Sequence, residues 1–176
     1  TVSDTATFRS YADSIANIST GSSVNQTLTA VTTSESFTVA SGTTYYRPST
    51  ISLKGVTTLP SRAFCFPPNG NYSIWKNLTT VTDADSVASI GDYAFGECSS
   101  LTSISIPVVT TIGGYAFFYC SSLTSISIES SITTIGSQAF TNCSALKTIT
   151  INRKSNAVSG SPWGATSATV SWTGTT

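Results

Sequence analysis

The sequence contains no histidine, and only 9% of its residues are charged. Histidine is the most frequent general acid–base of enzymes and a member of the Ser-His-Asp triad. Its absence excludes that triad and argues against hydrolytic chemistry. Lysine and arginine balance the acids at a net charge of zero, whereas nucleic-acid binding requires clustered basic residues. We therefore expect a protein that is not an enzyme and binds no nucleic acid.

Several motifs are also missing from the sequence. No run of about 18 apolar residues is present, so no transmembrane helix is predicted. The sequence has no basic segment followed by an apolar one, so no secretion signal is visible. Either a signal was removed or the protein never had one. The glycine-rich phosphate-binding motifs and the C-x-x-C spacing of zinc sites are absent too. We expect no membrane insertion, no metal and no cofactor.

Acidic residues are scattered, and only Asp83 and Asp85 lie close together. Two neighbouring carboxylates are able to bind a cation, or to act as a glycosidase pair if they are held at the right separation. They are equally typical of a solvated turn, and we favour the turn because a strand pattern ends just before them. No catalytic residue is assigned.

Hydroxyl side chains take the place of charge in this sequence. Serine and threonine together make up roughly a third of the chain, well above the usual share. Long stretches of threonine with valine and isoleucine favour β-strands. A hydroxyl-rich and charge-poor β surface is typical of proteins that work outside a cell.

A repeat of 22 or 23 residues dominates the middle of the chain. Regular copies begin at Ile90, Ile112 and Ile135, and each reads Ile-Gly-x-x-Ala-Phe-x-x-Cys-x-x-Leu. The glycine permits a tight turn, and the Ala-Phe pair predicts a short helix packed on the core. A fainter copy begins at Leu59, and the strand pattern at 50–53 would be earlier still. Together these segments predict about five rungs, where a rung is one copy of the repeat.

The strand of each rung follows the repeated leucine. In the first regular copy, Leu101, Ile104 and Ile106 are apolar, and Ser103 and Ser105 alternate with them. Alternation of this kind places the apolar side chains on the core side of a strand. One rung cannot bury its apolar side alone, so stacked rungs must supply the core.

This pattern resembles the BspA-type leucine-rich-repeat family, known from bacterial surface proteins and from phage and prophage proteins. The resemblance covers roughly residues 48 to 151. It implies a leucine-rich-repeat β-solenoid with short helices on the return side of each rung. The resemblance is specific for the fold and says much less about function, because one fold carries many functions.

The cysteines recur in phase with the repeat. Cys98, Cys120 and Cys143 occupy the same position of successive copies, which predicts a structural ladder of buried free thiols. A disulfide between adjacent rungs stays open as an alternative, although three cysteines cannot all pair. Cys65 is out of phase, and we expect it to be partly exposed.

The two ends differ from the repeat. Residues 1–47 predict a cap or docking segment, with an amphipathic helix over 4–18 and one or two strands over 24–47 that join through 34–35 or 41–42. Residues 152–176 predict a closing segment in which Trp163 covers the last rung and a strand ends at Trp172. Its Pro-Trp-Gly-Ala element resembles closing segments of Firmicutes phage and prophage proteins.

Two surfaces are candidate binding sites. The first is the outward lane of the strands, a flat hydroxyl strip that would bind glycan, pack on a neighbouring subunit or simply be solvated. The second is the insertion at 65–75, whose aromatic side chains either bind a partner or fold back onto the core. The strip consists of Ser52, Thr82, Ser105, Ser127 and Thr150, and the aromatic side chains are Phe66, Tyr72 and Trp75.

The leading functional hypothesis is a non-enzymatic surface module of a phage or prophage virion, such as a tail-associated, fibre or capsid-decorating protein. Its partners would be other virion proteins or a protein or glycan of the host surface, and a homo-oligomer is possible by symmetry. The alternative is a fragment of a secreted or surface-anchored bacterial adhesin of the same repeat family.

Overall fold

The computed structural model describes residues 31–38, 44–65, 74–155 and 157–174, with side chains from residue 49 onward. The helix predicted over 4–18 lies outside the described residues. The elements are β1 (Val31–Thr38), β2 (Thr44–Ser52), β3 (Thr58–Leu59), a 3-10 helix (Ile74–Asn77), β4 (Thr80–Thr82), β5 (Ser89–Ile90), β6 (Ser105–Ile106), β7 (Thr111–Ile112), β8 (Ser125–Ile128), β9 (Thr134–Ile135), β10 (Thr148–Ile151) and β11 (Thr169–Trp172).

Two parallel four-stranded sheets form the solenoid predicted from the repeat. One has the strand order β6-β8-β10-β11 and the other β3-β5-β7-β9, so successive rungs add one strand to each sheet. In register, Ile106 pairs with Ile128, and Ile128 pairs with Ile151. A third sheet has the order β1-β2-β4, in which β1 and β2 form an antiparallel hairpin and β2 runs parallel to β4.

Short helices on the return side were expected, and this part of the prediction is wrong for the described residues. In the regular rungs the return side consists of turns and two-residue strands, and the 3-10 helix Ile74–Asn77 lies in the irregular rung before them. The reason lies in the backbone: Tyr93 and Glu97 have positive φ values of 55° and 63°, which a right-handed helix does not allow. Turn amides donate to the next rung instead, as from Phe95 N to Ala116 O at 2.8 Å.

The core is a set of in-register ladders of apolar side chains. Four phenylalanine rings stack along the solenoid with centroid separations of 5.1, 5.3 and 5.5 Å, and all four are fully buried. They are joined by ladders of leucine and isoleucine, so each rung completes its core only with its neighbours. The rings belong to Phe64, Phe95, Phe117 and Phe140.

The predicted thiol ladder is present, and all of its cysteines are free and buried. Each thiol points at a carbonyl of the preceding rung, as from Cys120 Sγ to Phe95 O at 3.2 Å and from Cys143 Sγ to Phe117 O at 3.0 Å. Cys65 was expected to be partly exposed, but it is buried at 8% exposure because the Cys65 side chain packs against the next rung at Gly96.

The closing segment takes the place of one more rung. The amide of Phe140 donates to the carbonyl of Trp163 at 3.0 Å, just as the amide of Phe117 donates to Ala139. The Trp163 ring is buried, and its Nε1 donates to Ser159 O at 2.6 Å. Strand β11 pairs in parallel with β10. A closing strand and a tryptophan that covers the last rung therefore lie where the sequence predicts them.

Candidate functional site

The cysteine ladder is not a reactive site. Burial raises the pKa of Cys98 and Cys120 well above the usual value for a thiol, and it raises the pKa of Cys143 to about 12. Burial also raises the pKa of Cys65, and Glu97 adds to this shift. Since the thiolate is the nucleophile and the metal ligand, these cysteines are packing groups.

The acidic pair lies in a turn, as the sequence interpretation favours. The exposed Asp83 carboxylate accepts hydrogen bonds from Ser52 Oγ at 2.6 Å and from Thr82 Oγ1 at 3.0 Å. These two bonds lower the pKa of Asp83. Asp85 is also exposed. The described part of the chain holds no group of three or more side chains that could bind a metal ion.

The hydroxyl strip is shorter than the sequence predicts. Ser105, Ser127 and Thr150 are paired in register across β6, β8 and β10, and β11 extends the lane with Ser171. Ser105 and Ser127 are exposed and Thr150 is half-buried. Ser52, in contrast, is only 6% exposed. Its inclusion in an exposed lane is wrong, because its hydroxyl turns toward Asp83.

The insertion does not present Trp75 to a partner. Trp75 is 1% exposed, and its ring meets Phe64 edge to face at a centroid distance of 4.9 Å. The prediction of an exposed contact at Trp75 is therefore wrong, and the alternative that it folds back onto the core holds. The physical reason is that Phe64 ends the phenylalanine stack and needs a cover. Phe66 and Tyr72 lie outside the described residues.

A different aromatic surface lies on the turn side of the regular rungs. We call it the tyrosine surface, and it consists of Tyr93, Tyr115, Phe118 and Tyr119. The rings of Tyr93 and Tyr115 stack at 4.8 Å with an interplanar angle of 5°. Phe118 meets both edge to face, at 6.1 and 5.9 Å, and Tyr119 meets Phe118 at 5.4 Å. Tyr119 is 51% exposed.

The polar neighbours of the tyrosine surface are few. The guanidinium carbon of Arg62 lies 5.2 Å from the centroid of the Tyr93 ring, within the range of a cation–π contact. Glu97 and Asn142 occupy the same turn position as Tyr119 in the adjacent rungs, and both are exposed. The surface thus offers ring edges and phenol hydroxyls, with one cation (Arg62), one anion (Glu97) and the Asn142 carboxamide beside them.

The fold does not require aromatic residues at these places. Tyr93, Tyr115 and Tyr119 have positive φ values of 55°, 55° and 60°, a conformation that bulky residues rarely adopt. The equivalent residues of other rungs are polar and have the same conformation: Arg62 at 63°, Glu97 at 63°, Gln138 at 58° and Asn142 at 62°. The left-handed backbone is therefore a property of the repeat, and it does not require tyrosine at these positions.

Sequence reasoning missed the tyrosine surface because these residues fall at the variable positions of the repeat. The signal that could have found it is the contrast between copies. Two successive copies carry tyrosine directly before the Ala-Phe pair, whereas the copies before and after carry arginine and glutamine. The packing of Phe118 on both tyrosines, and of Tyr119 on Phe118, cannot be read from the spacing.

Comparison with known proteins gives a family. A family model described as "BspA type Leucine rich repeat region" matches residues 69–167 in six copies. A solved structure, the crystal structure of a leucine rich cell surface protein from Faecalibacterium prausnitzii A2-165, is similar at 20% identity and a TM-score of 0.34. The similarity covers 76% of this chain and 57% of that one, so this chain spans little more than half its length. No curated protein matches. Within the described residues, no helix has the length and apolarity to cross a membrane.

Proposed function

Because the chain belongs to the BspA-type leucine-rich-repeat family, we propose that it is a non-enzymatic repeat module that is displayed on an outer surface and binds another macromolecule there. The observation that carries this proposal is the tyrosine surface. Its rings occupy turn positions at which other rungs use polar residues with the same backbone conformation, so the scaffold does not require their aromatic character.

The chemistry of the tyrosine surface suits binding. Tyrosine is enriched at interfaces because it combines a large apolar ring with a hydroxyl that still reaches water. The rings also hold one another in place, through the stack of Tyr93 on Tyr115 and the edge contacts of Phe118. A rigid aromatic side chain loses little conformational entropy when it binds a partner.

The absence of catalytic groups supports the non-enzymatic part of the proposal. The sequence has no histidine, and the four cysteines are buried with raised pKa values. The Asp83 carboxylate is engaged by two hydroxyls of its own chain.

The finer form of the proposal places the module on the virion surface of a phage or prophage, in contact with virion proteins or with a protein or glycan of the host. It is supported by the closing segment at 161–165, whose Pro-Trp-Gly-Ala element resembles those of phage proteins, and by the low charge. The alternative location is the surface of a bacterial cell, as part of an adhesin of the same family.

Immunogold labelling tests display and location together. We expect antibodies raised against the purified protein to label either intact virions or intact cells, without permeabilisation. Labelled virions that retain the protein through gradient purification would establish the virion form, and labelled cells would establish the adhesin. Label that appears only after permeabilisation would refute display on a surface.

A further inference from the structure

We propose that Glu97, Tyr119 and Asn142, which we call the turn lane, form a binding site for an uncharged glycan. This inference deepens the proposed function and rests on it, since it names the ligand class and the side chains that would recognise it. The sugar would pack its C–H face on the Tyr119 ring. Its hydroxyls would donate hydrogen bonds to the Glu97 carboxylate, and would donate to and accept from the Asn142 carboxamide.

The backbone places the three residues at one position of three consecutive rungs. The amide of Glu97 donates to Phe118 O at 2.7 Å, and the amide of Tyr119 donates to Thr141 O at 3.0 Å. All three residues have nearly the same φ, at 63°, 60° and 62°. Since neighbouring strands of a sheet lie about 4.8 Å apart, the polar groups stand one rung before and one rung after the ring.

The three side chains are available to a ligand. Tyr119 is held by Phe118 at 5.4 Å and an angle of 65°, yet half of its side chain remains accessible. Glu97 and Asn142 are exposed, and neither side chain forms a hydrogen bond within the part of the chain that is described. A carboxylate accepts from two hydroxyls, and a carboxamide both donates and accepts, which matches neighbouring hydroxyls of a hexose.

The surroundings favour a sugar over a protein. A protein interface of standard size buries about 800 Å² on each side around an apolar centre. Among the described residues, only Val108 and Tyr119 are large hydrophobic side chains that are exposed, and the aromatic neighbours of Tyr119 are half-buried. One exposed ring between two polar groups suits a small ligand face. The Glu97 carboxylate adds a negative charge that disfavours sulfated and sialylated glycans.

The other tyrosines support the site without forming it. The faces of Tyr93 and Tyr115 that are turned to each other are occupied by their stacking at 4.8 Å, and Arg62 lies over the Tyr93 ring. Phe118 packs on both and in turn on Tyr119. The stack therefore supports the Tyr119 ring, and Tyr119 is the exposed ring of the four.

A glycan-binding assay tests the turn lane. The probes are neutral oligosaccharides that end in glucose, galactose, mannose or N-acetylglucosamine, with sialylated and sulfated forms of the same chains beside them. We expect the wild-type chain to bind at least one neutral probe and to prefer it over its charged forms. The variant Tyr119→Asn, which carries the residue of the next rung at the same φ, should lose at least about tenfold in affinity.

The matched control is Val108→Ala, which removes the other exposed apolar side chain and should leave affinity within about twofold. Equal affinities of Tyr119→Asn and Val108→Ala would overturn the inference, as would a wild-type chain that binds no neutral probe.

Binding to host cells before and after periodate oxidation separates the two proposals. Binding that survives oxidation refutes the glycan and leaves a protein-binding module, whereas a chain that binds no cells at all contradicts both.

Discussion

At the scale of single residues, the turns of this chain use a left-handed backbone at residues other than glycine. Each regular rung places two such residues in its turn, for example Tyr93 and Glu97 in one and Tyr115 and Tyr119 in the next. This conformation costs about 1–2 kcal/mol for a residue with a side chain. It is held by bonds between rungs, such as Tyr93 N to Gly114 O at 3.0 Å, so the side chain itself is free to vary.

The repeated glycine is required for a different reason, because adjacent rungs approach each other closely at this position. A Cβ at Gly113 would lie 2.5 Å from Asp92 N, whereas a Cβ at the adjacent Gly114 would meet nothing closer than Ser137 O at 3.4 Å. Neighbouring rungs carry Asp92 and Ser137 at the Gly114 position. Only the first glycine of the pair is therefore required by packing.

This difference predicts unequal effects for two adjacent substitutions. Gly113→Ala must push two rungs apart, and we expect it to lower the free energy of unfolding by about 2 kcal/mol or more. Gly114→Ala should change it by less than about 1 kcal/mol, because its methyl group has ordinary contacts. Urea unfolding followed by circular dichroism measures both. Equal losses for the two variants would contradict the close approach of the rungs.

At the scale of elements, the closing segment ends the stack by imitating a rung that cannot be extended. Trp163 O accepts the bond that an alanine carbonyl accepts in the regular rungs. Pro162, which precedes it, has no amide to offer to a further rung. Gly164, which follows, provides no ring to continue the phenylalanine stack. Terminal repeats of solenoids are atypical for this reason, since they must face water.

The two tryptophans of the closing segment should contribute unequally to stability. Trp163 is buried and donates its Nε1 hydrogen bond to Ser159 O, whereas Trp172 is half-buried and packs on it at 6.4 Å. Trp163→Ala should cost about 3–5 kcal/mol, the usual cost of truncating a buried aromatic residue, and Trp172→Ala clearly less.

Thermal and urea unfolding of the two variants gives the comparison. A Trp163→Ala variant as stable as Trp172→Ala would mean that the segment is not a cap. If the Trp163 variant does not fold, Trp163→Phe keeps a buried ring and should fall between the other two.

The sequence predicts much of the element scale and misses a specific part of it. The strand positions and the inward faces follow from alternation, as at Ile104 and Ile106, because the period of a strand is visible in the sequence. The helices expected at the Ala-Phe pairs are absent from the described rungs, in which the 3-10 helix Ile74–Asn77 is the one helical segment. The Ala-Phe pair looks the same in a helix and in a turn, and the bonds between rungs decide which one forms.

The candidate site was less predictable than the fold, again for a physical reason. Trp75 is an aromatic residue in an insertion, which made it a candidate for binding. In the structure its ring covers Phe64, the last ring of the phenylalanine stack, and is buried. Tyr119 was not predicted as a site residue, because its exposure depends on how the rungs superpose. The sequence records which residues repeat, whereas the site depends on the residues that do not.

At the scale of the whole molecule, structure and function are divided between two sets of residues. Each rung contacts mainly its neighbours, so stability is close to a sum over rungs and their interfaces. That sum is supplied by ladders that are nearly identical from rung to rung. The tyrosine surface interrupts this uniformity on the turn side of the described rungs.

The most direct test of this account is the binding of one triple variant to intact host cells. Tyr93→Gln, Tyr115→Gln and Tyr119→Asn together replace each tyrosine with the residue that a following rung carries at the same φ. We expect the variant to stay folded, with a loss of unfolding free energy below about 2 kcal/mol. We also expect it to lack the saturable binding to the cells that the wild-type chain shows. A folded triple variant that binds the cells as tightly as the wild-type chain would contradict the account.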